Sequence, residues 1–216
     1  VVKQKTDAAD EKNLLKMILE GAKAFGGVDS PSLGLTQDKF IHWYYNILGL
    51  VAWQTRVREE VKEVCKNGSP DANMLRSMKV LTMVIQETLR LYPSIVYVLR
   101  NALQDVQYKD ILVPKGVNIQ IPISIMQQDT NLWGPDAHQF NPGRFEHGVL
   151  GASKFPQSYM PFGVGTRICI GQHLAMTELK VVVALLLSKF CFSVSPAYRY
   201  AAAFRLVIES EHGVNV

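Results

Sequence analysis

Apolar positions recur at three- and four-residue spacing in several stretches of the chain, and each such stretch predicts a helix with one buried face. Leu14, Leu15, Ile18 and Leu19 mark one over residues 11–25, ended by Gly26-Gly27. A Ser/Pro/Gly/Thr loop over 28–36 precedes a second helical segment from about Gln37 to Cys65, broken near Gly49. Its later half alternates in charge (Arg56, Arg58, Glu59, Glu60, Lys62, Glu63), the pattern of a solvated face. After the turn Asn67-Gly68-Ser69-Pro70, the run Leu75, Met78, Leu81, Met83, Val84, Ile85 and Leu89 predicts one mostly buried helix, stopped by Pro93. Leu174, Leu179, Val182, Val183 and Leu186 predict a last helix after Gly171.

Between the last two helices the period changes. Residues 95–99, 106–108, 111–113 and 117–121 are short β-prone runs, with Pro114-Lys115-Gly116 as the hairpin turn. Residues 124–160 carry Pro, Gly and Asn with little periodicity, and Trp133, Phe140, Phe145 and Phe155 are the expected anchors there. A strand near Phe190 to Val194 and a hairpin over 205–216, turning at Glu211-His212-Gly213, close the chain. The pattern is mainly α with a small β-sheet, without internal repeats.

Composition narrows the function classes. The 216 residues are 48% hydrophobic and 19% charged, ordinary for a globular protein. A net charge of +4 without a Lys/Arg run gives no nucleic-acid footprint. Three dispersed cysteines (Cys65, Cys169, Cys191) argue against a disulfide framework and for a reducing compartment. No signal peptide or apolar twenty-mer is present, and a polar start without Met predicts the interior of a longer protein.

The candidate chemistry centres on Cys169. Gly163, Gly165 and Gly171 lie within nine residues, which predicts a backbone bent tightly or approached closely by something flat. Cys169 therefore sits on a bent loop just before a helix N-terminus, where unpaired N–H groups favour a thiolate. Arg167 adds a fixed positive charge able to bind an anionic group. Such a thiolate could be a nucleophile with His173 as its base, a redox thiol or a metal ligand. A resolving Cys is remote in sequence, and Phe162 with the glycines suits a flat cofactor better than either of the first two.

The run Phe162-x-x-Gly165-x-Arg167-x-Cys169-x-Gly171 resembles the haem-binding signature of the cytochrome P450 monooxygenases at every defined position. The resemblance implies the C-terminal, haem-ligand half of that fold. Cys169 would ligate haem b iron, Phe162, Gly163 and Gly171 would line the haem loop, and Arg167 with Arg100 would hold propionates. Ile95, Val96 and Tyr97 would face substrate, as would the bend Tyr200 to Phe204. Glu87 and Arg90 are three apart on one helix face and can pair. In the family such a pair joins the Arg of a Pro-x-Arg-Phe segment, matched here by Arg144. Position 143 departs, being Gly where the family usually has Glu, which predicts a looser meander. Trp133-Gly134-Pro135-Asp136 matches a family landmark of structural character. The wording of 86–93 and 206–215 looks most like the plant branch that oxidises gibberellins and related diterpenoids.

One family feature has no counterpart. A distal helix normally carries an acid and a Thr that relay protons to bound dioxygen. No Thr or acid lies between Asp38 and Trp53, and the fifteen residues from Lys39 span only about 22 Å as helix. No catalytic residue is therefore identified, and the whole chain, 1–216, is expected to be one incomplete domain lacking that kernel near 40–53. The resemblance further implies electrons from NADPH through a cytochrome P450 reductase. That partner would meet a basic face for which Arg56 and Arg58 are candidates. The substrate would be a hydrophobic small molecule. The full-length relative would sit at the cytosolic face of the endoplasmic reticulum, anchored by a segment absent here. The alternatives are a truncated, inactive haem binder or remnant, and a Cys169/His173 hydrolase.

Overall fold

Gln54, Val57, Val61 and Cys65 fall on one stripe of a helix and are all buried. This is helix α1, Val51–Cys65, in a computed structural model that describes residues 3–4, 51–66, 68, 70–192, 202–204 and 208–210. The helix expected over 11–25, the segment 37–50 with the region of the absent kernel, and the reversal at 211–213 lie outside the described residues. The chain divides into two compact units. One comprises Val1–Ile85, His173–Arg205 and Glu209–Val216, and the other Gln86–Gln172 and Leu206–Ile208.

In the first unit α1 is followed by α2, Ala72–Ser77, and by α3, Lys79–Leu91, which runs on past the unit boundary. The single helix expected over 75–89 is thus two, parted at Met78, whose backbone is extended (φ −72°, ψ 91°). Neither Gly nor Pro causes the break. Asp71 caps α2 by accepting the N–H groups of Asn73 and Met74, each at 2.8 Å. The fresh N-terminus of α3 is capped from outside: the Glu60 carboxylate accepts Val80 N–H and Leu81 N–H, both at 2.8 Å. A carboxylate is well placed against orphan N–H groups at the positive end of a helix.

The charged face of α1 is accordingly not just solvated. Arg58 donates from Nε to Leu187 O (3.0 Å) and from Nη2 to Phe190 O (2.8 Å) and Gln54 Oε1 (2.7 Å). Leu187 belongs to the last turn of the long helix that begins at Gln172 and ends at Lys189, so Arg58 caps orphan carbonyls there. Gln54 clasps Phe192 by its backbone N–H and C=O (2.9 and 3.0 Å). That long helix buries Leu179, Val183, Ala184, Leu186 and Leu187, and its Lys180 ammonium caps α2 at Leu75 O, 3.0 Å away. Burial lowers the Lys180 pKa. The strand expected near 190–194 is Phe190–Cys191, paired antiparallel with Lys3–Gln4.

The second unit holds the strands. We number them after β1 (Lys3–Gln4) as β2 (Tyr97–Asn101), β3 (Val106–Tyr108), β4 (Ile111–Val113) and β5 (Asn118–Pro122). β2 pairs antiparallel with β5, in the register Tyr97↔Pro122 to Asn101↔Asn118. β3 pairs with β4 through a tight reversal at Lys109–Asp110, with Lys109 left-handed (φ 50°). Pro114-Lys115-Gly116 does turn the chain, but it links β4 to β5, which are not partners. There Gly116 N–H donates to Ala102 O (2.7 Å), and Asp105 accepts Lys115 N–H (2.8 Å). Among the described residues the strands make separate two-stranded sheets rather than one. The last pair is Ala202–Phe204 with Ile208–Ser210, upstream of the expected turn at 211–213.

Short helices punctuate the aperiodic stretch: α4 (Ile123–Met126), α5 (Thr130–Trp133), a 3-10 turn (Pro142–Phe145) and α6 (Val149–Ala152). Of the expected aromatic anchors, Trp133 and Phe145 are buried and Phe140 is half-buried. Phe155 is more than half exposed, with Lys154 over its ring, and does not anchor. Its place is taken by Tyr159, which meets Phe145 edge-on with ring centroids 5.2 Å apart and Trp133 at 6.3 Å.

Because Glu60 accepts two N–H groups at the start of α3, Glu60→Ala should lower unfolding free energy by about 1–2 kcal/mol. A urea titration checks this as a lower midpoint at unchanged slope.

Candidate functional site

Glu87 and Arg90, one turn apart on α3, are both fully buried. Arg90 donates from Nε to Glu87 Oε2 at 2.7 Å and from Nη2 to Glu87 Oε1 at 2.8 Å, a bidentate pair. Its remaining donors go to backbone carbonyls: Nη1 to Gln127 O (2.7 Å) and Ala137 O (2.6 Å), Nη2 to Gln139 O (3.2 Å). All five guanidinium N–H groups are thereby used. The Trp133 ring lies under the guanidinium, 5.1 Å from its centroid. Glu87 Oε1 also accepts Asn141 N–H at 2.8 Å. An ion pair on the sequence face of one helix is thus the hub for segments fifty residues downstream.

Arg144 joins this pair by charge rather than by a hydrogen bond. Its Nε is 3.8 Å from Glu87 Oε1 and, though buried, makes no hydrogen bond. Its Nη groups are held by Asp136, with Nη2 to Oδ2 at 2.8 Å, and by Trp133 O at 2.7 Å and Asp136 O at 3.1 Å. The Arg144 guanidinium, by its hydrogen bond to the Asp136 carboxyl, holds that carboxyl below the usual carboxylate range. The looser meander expected from Gly143 is therefore offset by Asp136, eight residues before Arg144 in the Trp-Gly-Pro-Asp run. Gly143 lies in the 3-10 turn, where an added Cβ would sit 3.1 Å from Asn141 Oδ1.

The Cys169 loop begins at Met160 and Pro161, both buried. Gly163 N–H donates to Met160 O (3.0 Å), and a 3-10 turn over Gly165–Arg167 follows. Cys169 N–H then reaches back to Phe162 O at 2.9 Å, which pins the sulfur-bearing residue to the start of its own loop. Gly163 and Gly165 are left-handed (φ 74° and 77°), a conformation that strains any L side chain. Gly171 is different. Its φ is ordinary, but a Cβ there would stand 3.8 Å from Cys169 Sγ. Cys169 is half-buried, while its neighbours Ile168 and Ile170 are exposed, Ile170 completely. Phe162 is half-buried. Cys169 O accepts Gln172 N–H (3.3 Å) at the first residue of the last helix, α7, Gln172–Lys189.

Two arginines flank the loop. The Arg100 guanidinium lies 4.0 Å from where a Gly163 Cβ would be, and its Nη1 donates to Leu99 O at 2.9 Å. Arg167 is exposed and, among the described residues, makes no ion pair or hydrogen bond. Of the three residues expected to face substrate, Ile95 is exposed (46%), and Val96 and Tyr97 are half-buried. Val96 O is occupied, accepting Ile123 N–H at 2.7 Å. Of the bend expected at Tyr200 to Phe204, Tyr200 and Ala201 lie outside the described residues and Ala202–Phe204 is a strand, not a bend; His173 is exposed. Arg58, expected on a basic docking face, spends its donors on carbonyls within its own unit, whereas Arg56 is exposed and stacks over Trp53 at 4.2 Å.

The donor set bears on what the loop could hold. Among the described residues no group of three or more His, Cys, Asp or Glu is placed to bind a bare metal ion. One half-buried thiol flanked by exposed apolar side chains, open space over Gly165 and two arginines fit a haem. That group brings four ring nitrogens of its own and asks for one axial ligand.

Gln127, Asp136 and Tyr159 were not legible as site residues. Gln127 is a fully buried amide whose partners are 33 to 38 positions away. Asp136 was visible within a landmark but carried no sign of its cation. Tyr159 OH donates to Gln86 O at 3.2 Å, and only its place two before the loop proline marks it.

The family model for cytochrome P450 matches residues 51–201. Among similar proteins, cytochrome P450 714A2 of Arabidopsis thaliana is 41% identical over 95% of this chain and 38% of its own length. Cytochrome P450 714C2 of Oryza sativa subsp. japonica is 46% identical over 94% of this chain and 42% of its own. Cytochrome P450 72A397 of Kalopanax septemlobus is 37% identical over 95% and 42%. The chain spans about two fifths of the length of these relatives.

Burial first, and then the negative charge of Glu87, push the Tyr159 phenol well above its usual ionisation range. The unfolded chain loses this proton first, so the contribution of Tyr159 to stability falls as pH rises past about 10. Wild type should therefore lose stability above that pH faster than Tyr159→Phe in paired urea titrations. Parallel pH profiles would contradict the placement.

Proposed function

The chain belongs to the cytochrome P450 family, and on that premise we propose that it is the C-terminal, proximal half of a haem-thiolate monooxygenase. Residues 1–216 are then one incomplete domain of that fold. The family brings a haem iron cofactor, which we take to be haem b, and Cys169 would be the residue that holds its iron. The observation that carries the reading is the Cys169 loop itself: a cysteine whose backbone N–H donates to Phe162 O, between exposed isoleucines and after two left-handed glycines.

The haem would supply oxygen binding and activation, with the thiolate donating electron density to the iron. The chain's own residues do the holding. Arg100, beside Gly163, and Arg167, exposed on the loop, would pair with propionates. At Gly171 a methyl group would rest in ordinary contact with the sulfur, 3.8 Å away. Glu87 and Arg90 fix the meander that leads into the loop, with Arg144 and Asp136 as its second clasp. Ile95, Val96 and Tyr97 would present an apolar wall to substrate. The reaction is insertion of one oxygen atom of O2 into a hydrophobic small molecule. The wording of 86–93 and 206–215 supports a gibberellin-type diterpenoid.

Electrons would come from NADPH through a cytochrome P450 reductase, and of the two basic candidates Arg56, exposed and stacked on Trp53, would be the one to meet it, since Arg58 is bonded to backbone carbonyls. The complete protein would act at the cytosolic face of the endoplasmic reticulum. No helix among the described residues is long and apolar enough to cross a membrane. A second reading, a haem binder without turnover, is favoured by the absence of Thr or acid between Asp38 and Trp53. Proton delivery of that kind typically contributes a factor of about 100 to 10,000.

The purified chain, loaded with haem and reduced with dithionite under carbon monoxide, should give the red-shifted Soret band of thiolate ligation. Cys169→Ser should abolish it. A wild-type spectrum without that band would overturn the haem-thiolate reading, and the band without product on adding reductase would leave the binder.

A further inference from the structure

Helix α3 ends at Leu91, and its last four carbonyls have no partners within the helix. The structure accounts for each of them. Thr88 O takes Tyr92 N–H (2.8 Å), and Leu91 O takes the Gln128 side-chain amide (3.0 Å). The two between, Leu89 O and Arg90 O, both accept from Gln127 Nε2, at 3.2 and 3.0 Å. The same side chain uses its other end differently: Gln127 Oε1 accepts Met160 N–H at 2.9 Å. Its backbone carbonyl receives Arg90 Nη1. The orientation of the amide is fixed by its partners, because two carbonyls can only accept and an N–H can only donate.

Gln127 is wholly buried, so none of these bonds competes with water. Met160 opens the loop, and two residues later Phe162 O accepts Cys169 N–H. Two hydrogen-bonded links, joined by the backbone from Met160 to Phe162, therefore lead from the helix that carries the Glu87–Arg90 pair, through one side-chain amide, to the residue that carries the sulfur. We propose that Gln127 is the positioning residue for Cys169. It sets the position of the loop relative to the end of α3, and so the place of the sulfur. For its meaning in haem ligation the proposal rests on the reading above; for the placement itself it does not.

Few side chains meet the demand. Two donors and one acceptor must be presented at once in a water-free site. Glutamate keeps the acceptor for Met160 but sets a carboxylate against two carbonyls. Leucine fills the space and satisfies none of the three groups, and asparagine carries the same groups on a stem one methylene too short to reach both sides.

The test has two readouts on the 216-residue chain, one of them independent of haem. In the haem-free chain, amide hydrogen exchange over residues 160–169 should speed up about tenfold or more in Gln127→Leu. Alkylation of Cys169 by iodoacetamide should rise with it. Glu60→Ala, which weakens the remote α3 cap, serves as the control for a general loss of stability and should leave this segment unchanged. Should Gln127→Leu fail to fold, Gln127→Asn takes its place with the same expectation. In the haem-loaded chain, the variant should lose the thiolate Soret band faster than wild type by a similar factor. Unchanged exchange over 160–169 in the folded variant, or an equal rise in Glu60→Ala, would overturn the proposal. A wild-type chain that never shows the thiolate band would refute the haem reading instead, and the exchange result would still decide the role of Gln127.

Discussion

Each N–H of a guanidinium taken out of water costs free energy unless it finds an acceptor, and at Arg90 the acceptors for all five organise a large part of the second unit. Burying a charge of this kind costs several kcal/mol even when it is paired. What returns that cost is the bidentate Glu87 carboxylate together with three carbonyls, at Gln127, Ala137 and Gln139. Those acceptors come from different turns of an otherwise aperiodic segment. The segment is thus ordered by one cation as much as by its apolar contacts. Glu87 in turn accepts Asn141 N–H, so the pair recruits backbone on both sides of its charge.

From this pair two clasps extend. One is electrostatic and partly exposed: Arg144 with Asp136, closing the turn that contains Gly143. The other is neutral and buried: the Gln127 amide between the end of α3 and Met160. Aromatic packing of Trp133, Phe145 and Tyr159 fills the space beside them. The Cys169 loop is the far end of this arrangement. Its left-handed glycines set its bend, and the bond from Cys169 N–H to Phe162 O sets where the bend closes. Function, on the haem reading, depends on a sulfur whose place is determined by charges and amides remote from it in sequence.

Local patterns in the sequence predicted local structure well, and failed where a partner came from elsewhere. The i,i+3 spacing of Glu87 and Arg90 was legible because a helix puts such residues on one face. The break at Met78 was not, because the cap that permits it is Glu60, on another helix. Pro114-Lys115-Gly116 was readable as a turn, but strand pairing is nonlocal, and β5 took β2 as its partner. The true hairpin turns at Lys109–Asp110, a left-handed lysine in place of the usual Asn-Gly. Phe155 and Tyr159 are both aromatic and four apart, and nothing local says which packs against Trp133 and Phe145. The motif around Cys169 named the sulfur, while the residues that hold its loop, Gln127 above all, carry no short-range signature.

The central claim is that the forked geometry of Arg90, and not its charge alone, holds the meander and through it the Cys169 loop. Arg90→Lys isolates that claim, since lysine keeps the charge but offers three donors from a single point. Urea unfolding of this variant should show a loss of at least about 2 kcal/mol, because several buried acceptors are left unmade. An Arg90→Lys chain with the wild-type urea midpoint would contradict the account.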